Sequence, residues 1–142
     1  MPSPNVNPRI RLLSHPQIAS EIDALLIDRQ ARGLSPRTVA WYAEKLRILR
    51  AYLDAQGIQD VQGITADLLR RFLLSLAEAH NPGGVHGCYR ALRAFLRWYE
   101  SETEPQGWAN PIAKVREPRV EVRGWSGPRP LRAAWLFLQK RN

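Results

Sequence analysis

Apolar positions recur with helical spacing in four stretches of this chain, and the strongest of them sets how the others are read. Tyr42, Leu46, Leu49 and Leu53 follow at steps of four, three and four, which places them on one face of a helix. Ser35 stands where a side-chain oxygen accepts from a first-turn N–H, and Pro36 fills the first helical position, where a missing N–H costs nothing. Gly57 supplies a left-handed stop, so the pattern predicts a helix over residues 36 to 56. Upstream, Ile18, Ile22, Leu25 and Leu26 form a second stripe behind Ser14-His15-Pro16-Gln17, in which Ser14 and Gln17 have the spacing of a capping box; this helix ends near Gly33. Thr65 caps a third helix, with Asp67 in its positive first turn and Leu69, Phe72, Leu73 and Leu76 as its buried face. It ends before Asn81-Pro82-Gly83-Gly84, where a fourth begins and runs to about residue 102 with Val85, Tyr89, Leu92, Leu96 and Tyr99 inward. Nothing alternates with period two over a useful length, so the chain reads as all-α, a small bundle of four to five helices without a sheet.

The polar faces carry the candidate chemistry. On the second helix Arg37, Thr38, Trp41 and Lys45 lie off the apolar stripe, beside an N-terminus whose amides and dipole favour an anion. On the fourth, His86, Arg90, Arg93 and Arg97 follow at four, three and four, with no acidic residue in the stripe before Glu100. From pattern alone each face has two readings: a solvated surface on which arginine stems cover apolar area, or a seat for phosphates. Uncompensated arginines on one face repel each other, which is easier to account for where an anion is expected. His86 has no second His or Cys at a metal-ligand spacing, so neither a metal nor a cofactor is expected.

Composition narrows the setting. The 142 residues hold one domain with one core. Cys88 is the single cysteine and reads as core, no internal disulfide can form, and a reducing, cytoplasmic setting is expected. No run approaches the ~18 apolar residues of a membrane span, and Pro2, Pro4 and Pro8 interrupt any signal-like apolar region, so no membrane partner is expected. The net charge is +8, but residues 1–113 carry 13 Lys and Arg against 11 Asp and Glu, while residues 114–142 carry 8 against 2. The helical body is thus nearly neutral, and any nucleic-acid reading of it rests on local faces rather than on the total. Residues 1–13 read as an extended arm, 14–115 as the helical domain and 116–130 as a Pro- and Gly-rich linker. The segment Trp108-Ala109-Asn110-Pro111-Ile112 reads as a turn with an apolar plug, and residues 131–142 as an atypical apolar tail.

Four motifs in order carry a resemblance: L-S-P-R-T-V-x-x-Y-x-x-x-L over residues 34–46, I-T-A-D-L-L-R-R-F-L over 64–73, A-L-R-A-F-L-R-W-Y over 91–99 and N-P-I-A-K-V over 110–115. Together they resemble the N-terminal core-binding domain of tyrosine recombinases, the phage integrase and Xer-like family, over about residues 16 to 120. The resemblance implies a SAM-like helical domain that closes over one side of duplex DNA, while a larger catalytic domain closes over the other. It implicates Arg37, Thr38, Trp41 and Lys45 on the second helix, and Gly84, His86 and Arg90 on the fourth, with Arg93 and Arg97 adding phosphate contacts. Many members have Thr-Val-Asn-Arg-Arg where this chain has Gly84-Val85-His86-Gly87-Cys88, which shifts the expected role of this helix from base readout to backbone contact. The family's strand-cleaving tyrosine, with its arginines, lysine and histidines, belongs to the catalytic domain. Here the last Tyr is Tyr99 and the last His is His86, so no catalytic residue is expected in this chain, and residues 131–142 read as the start of a truncated or frameshifted catalytic domain.

The expected partners are therefore double-stranded DNA and a catalytic domain or other recombinase protomers, with no small-molecule substrate. A second class of reading is a helical protein-interaction module using Trp41, Trp98 and Trp108 as exposed anchors. A third, a standalone DNA-binding regulator, lacks the tight turn between two short helices that such a motif needs.

Overall fold

The computed structural model describes residues 17–119. They form four α-helices: α1 (Ile18–Ala31), α2 (Pro36–Ala55), α3 (Ala66–Ala79) and α4 (Pro82–Thr103), with 3-10 turns at Val61–Gly63 and Pro111–Lys114. Among the described residues there is no strand, only an isolated antiparallel bridge between Gln17 and Asp60. The arm at 1–13, the tail at 131–142 and all but the first four residues of the 116–130 linker lie outside the described residues.

The capping residues act as their chemistry requires. Ser35 Oγ accepts from the Thr38 amide at 3.2 Å, Thr65 Oγ1 from Leu68 at 3.1 Å and Asn81 Oδ1 from Gly84 at 2.7 Å. Gly57 closes α2 with a φ of +76°, and Gly33 turns the chain between α1 and α2 at +82°. The start of α1 differs from the capping-box expectation. Gln17 is extended rather than helical, and the Ile18 amide donates across the fold to Gln59 O at 2.8 Å. A helix that begins at Ile18 leaves Ser14, itself outside the described residues, too far upstream to cap it; a long-range backbone bond took the place of the local one.

α4 is the central strut and packs against α1, α2 and α3. Its inward residues Leu92, Phe95, Leu96 and Tyr99 are almost wholly buried against Leu25, Leu46, Leu49, Leu53, Leu69 and Phe72. Cys88 belongs to the same core. The turn after α4 is pinned by Asn110, whose amide donates to Leu96 O at 3.0 Å and to Glu100 Oε1 at 3.1 Å while its Oδ1 accepts from the Ile112 amide. Ile112 is thereby driven into the core, and Trp108 meets Tyr99 edge to face at 5.3 Å, which gives the apolar plug its form. Three expected positions sit farther out: Leu26, Tyr42 and Leu73 are half-buried. Tyr42 lies at the rim because it is sandwiched by Trp41, edge-on at 5.1 Å, and by the Arg29 guanidinium at 5.5 Å.

A basic, aromatic crevice between α2 and α4

The N-terminal half of α2 crosses the start of α4 at Gly87. A Cβ placed there would meet Lys45 Cε at 3.5 Å and Trp41 Cζ2 at 3.7 Å, so both side chains rest over the α4 backbone at this point. Trp41 in turn supports Arg90, whose guanidinium sits 5.5 Å from the ring centroid, within cation–π range. The result is a crevice of about 350 Å³ lined by Trp41, Tyr42, His86, Tyr89, Arg90, Arg93, Ala94 and Glu117. Arg90 and Arg93 are exposed, while Trp41 and His86 are half-buried.

Of the residues singled out from sequence, Trp41, His86, Arg90 and Arg93 line this crevice, and Lys45 rests beside Trp41 over Gly87. Arg37 is exposed one turn earlier on α2, and Thr38 beside it shares a hydroxyl contact with Ser35 at 3.0 Å. Arg97 lies farther along α4 and borders a separate hollow with Glu100, Ser101, Asn110 and Ile112. Gly84 is occupied structurally: its amide serves the Asn81 cap, and a Cβ would come within 3.3 Å of His80 Cβ.

The exposed-tryptophan reading is corrected by burial. Trp98 is 7% exposed and part of the core, and Trp41 and Trp108 are half-buried against it. Trp98 lies off the Val85–Tyr99 stripe but is covered because α4 packs against three helices, so that from Tyr89 to Tyr99 little beyond the arginine stripe is exposed.

Two features of the site were not read from sequence. Arg29, on α1, caps the Tyr42 face of the crevice. Glu117, just past the second 3-10 turn, folds back so that His86 Nε2–H donates to its Oε2 at 2.5 Å. That bond, opposed by partial desolvation and aided by the charges of His86, Arg93 and Arg90, holds the Glu117 carboxyl below its ordinary value. Elsewhere Asp28 pairs with both Arg29 and Arg32, and Arg50–Asp54 and Arg71–Asp67 follow helical i, i+4 spacing.

Beyond the same 114–119 segment, α3 and the start of α4 enclose a more apolar groove of about 770 Å³, lined by Leu73, Leu74, Ala77 and Val85 and edged by Arg70, Lys114, Arg116 and Arg119. Leu74 is 68% exposed there. The described residues hold no cluster of three or more His, Cys, Asp or Glu side chains placed to bind a metal, and no described helix is long and apolar enough to cross a membrane.

An all-helical module with a basic, aromatic crevice between two of its helices is thus the class that fold and site define. Residues 25–103 match the family model of the phage integrase N-terminal SAM-like domain, and the chain belongs to that tyrosine recombinase family. It is 34% identical over 114 residues to the tyrosine recombinase XerC of Ralstonia pickettii, covering 77% of this chain and 33% of that protein. It is 30% identical over 100 residues to the XerC of Oceanobacillus iheyensis, covering 70% of this chain and 31% of the relative. The chain therefore spans about a third of the length of these curated relatives. Its fold is similar to that in the solved structure of a lambda integrase tetramer bound to a Holliday junction, with a TM-score of 0.67 at 18% identity over 85% of this chain and 36% of the integrase.

Proposed function

We propose that this chain is the core-binding domain of a tyrosine recombinase and grips duplex DNA for site-specific recombination, the strand-cleaving chemistry falling to a catalytic domain outside these 142 residues. The observation that supports this most is the crevice itself. Lys45, Arg90 and Arg93 come from two helices onto one face, with Trp41 fixing Arg90. A surface arginine held by an aromatic ring loses less freedom on meeting a phosphate than one waving in solvent. Arg37 and Arg97, both exposed, add positive charge farther along α2 and α4, Thr38 and Trp41 are the residues we expect nearer the base edges, and His86 serves the backbone.

Binding of this kind is dominated by counterion release. With up to five cations engaged, log K falls against log salt with a slope of about −4 to −5. Sequence discrimination by this domain alone is expected to be weak, because phosphate contacts carry no base information. The partner surface of a catalytic domain or a neighbouring protomer is best sought at the α3–α4 groove, whose apolar lining includes the exposed Leu74. Fluorescence anisotropy with a labelled duplex at about 50 mM salt tests the reading. Saturable binding that is lost on changing Arg90, Arg93 and Arg97 together to Gln supports it, and binding untouched by that triple change refutes it.

A further inference from the structure

The crevice already holds an anion. Glu117 reaches it from the segment that follows the second 3-10 turn, its carboxylate takes the His86 Nε2–H, and Arg90 and Arg93 line the same space. The Glu117 side chain remains 61% exposed while His86 is 22% exposed, so one side of the carboxylate is open to solvent and to an incoming group. A carboxylate offers two oxygens to donors and a phosphodiester offers two non-bridging oxygens, so the same donors suit either. The positive surroundings are felt by the group that is there, since its proton affinity is lowered.

We propose that Glu117 is an intramolecular stand-in for a DNA phosphate: in the unbound protein it occupies the seat formed by His86, Arg90 and Arg93, and a backbone phosphate displaces it. This rests on the DNA-binding reading above and adds to it a consequence for the chain that follows. Displacing Glu117 detaches residues 116–119 from α4, so that DNA engagement and release of the segment leading out of the domain become one event. The seat is then an exchange site, in which one internal anion leaves as one external anion arrives.

Exchange has a signature that simple proximity of charge does not. A competitor that must leave reduces apparent affinity by the fraction of molecules in which the seat is open, so Glu117→Gln is expected to tighten binding about three- to ten-fold at low salt. The contacted phosphate sheds its condensed cation in either protein, but only in Glu117→Gln does the seat also give up a solution anion, so the wild-type salt slope is shallower than that of Glu117→Gln by up to about one. Glu44→Gln, an exposed acid on α2, removes the same charge without touching the seat and is the control.

The test is duplex binding by wild type, Glu117→Gln and Glu44→Gln across a salt series, with hydrogen exchange of residues 115–119 followed with and without DNA. Tighter binding with a steeper slope for Glu117→Gln alone, together with faster exchange of 115–119 in the wild type on adding duplex, supports the exchange. Wild-type binding with no difference between the two variants, or protection of 115–119 by DNA, overturns it and leaves the DNA-binding reading standing. No binding by any of the three overturns both.

Discussion

Gly87 offers the sharpest check on how α2 and α4 meet, because local propensity and tertiary packing there can be separated. A glycine in the middle of a 22-residue helix is costly, and alanine at such a site is favoured by about 0.8–1 kcal/mol through the backbone alone. Whether that gain is realised depends on what a methyl group would meet. Its nearest neighbours are Lys45 Cε at 3.5 Å and Trp41 Cζ2 at 3.7 Å, which is ordinary van der Waals contact, and the first belongs to the end of a flexible side chain. Gly87→Ala is therefore expected to stabilise the domain by about 0.5–1 kcal/mol, read as a higher urea midpoint at unchanged slope and a melting temperature raised by roughly 2–8 °C. DNA affinity is expected to stay within about two-fold, since Trp41 and Lys45 keep their places. Gly87→Leu is a different perturbation, because a branched side chain fills the space beneath Trp41 and lifts it, taking the support from Arg90. That variant is expected to remain folded while losing about ten-fold or more in binding, the equivalent of one or two phosphate contacts at moderate salt. A Gly87→Ala protein destabilised by about 1 kcal/mol or more would refute the reasoning, for it would mean that the two helices approach too closely for a methyl group.

Other outcomes follow from single sites. Asn110→Ala removes two donors and one acceptor that hold the turn after α4 and is expected to cost about 1–3 kcal/mol in chemical denaturation. Phe95→Ala, at a side chain with no solvent exposure on the central helix, is expected to cost about 3–5 kcal/mol, enough to unfold much of the population at 37 °C. The Cys88 thiol is pushed up by burial, with Lys45 opposing and Glu44 adding to the effect, so thiol reagents are expected to modify it slowly in the native state and rapidly in denaturant. Glu117 is depressed in the folded state, so its contact with His86 contributes above the carboxyl value of the unfolded chain and is lost as pH falls through the lower folded value. Carboxyl carbon shifts are expected to show Glu117 titrating below the ordinary glutamate range, and a titration at or above that range contradicts this assignment.

The helices were legible because they obey local rules. Ser35, Thr65 and Asn81 cap within three residues of themselves, and the stripes on α2, α3 and α4 follow from the 3.6-residue turn whatever surrounds them. What escaped reading is long-range. Ile18 starts α1 by bonding to Gln59, which no pattern near Ser14 announces. Trp98 looked peripheral on its own helix and is covered because α4 packs against three others. Trp41 and Lys45 converge on α4 over Gly87, which in sequence is only a weak point in a helix and in the fold is the place where two side chains of α2 rest on it. Glu117 lay in a stretch read as basic, 31 residues from its partner His86, and neither charge counting nor helical spacing joins the two. Sequence periodicity assigns residues to faces, and only the crossing of α2 over α4 decides which faces share a site.

The most direct measurement is the map of backbone and side-chain NMR shifts of this chain as duplex DNA is added. The expected result is movement of the Trp41 indole N–H, Lys45, His86, the amides of residues 86–93 and the 115–119 segment, fading as salt is raised, while Leu73, Leu74 and Ala77 on the α3 side of the apolar groove stay still. Shifts confined to that groove, or none across α2 and α4 at low salt, would contradict the assignment of the crevice as the DNA-gripping face.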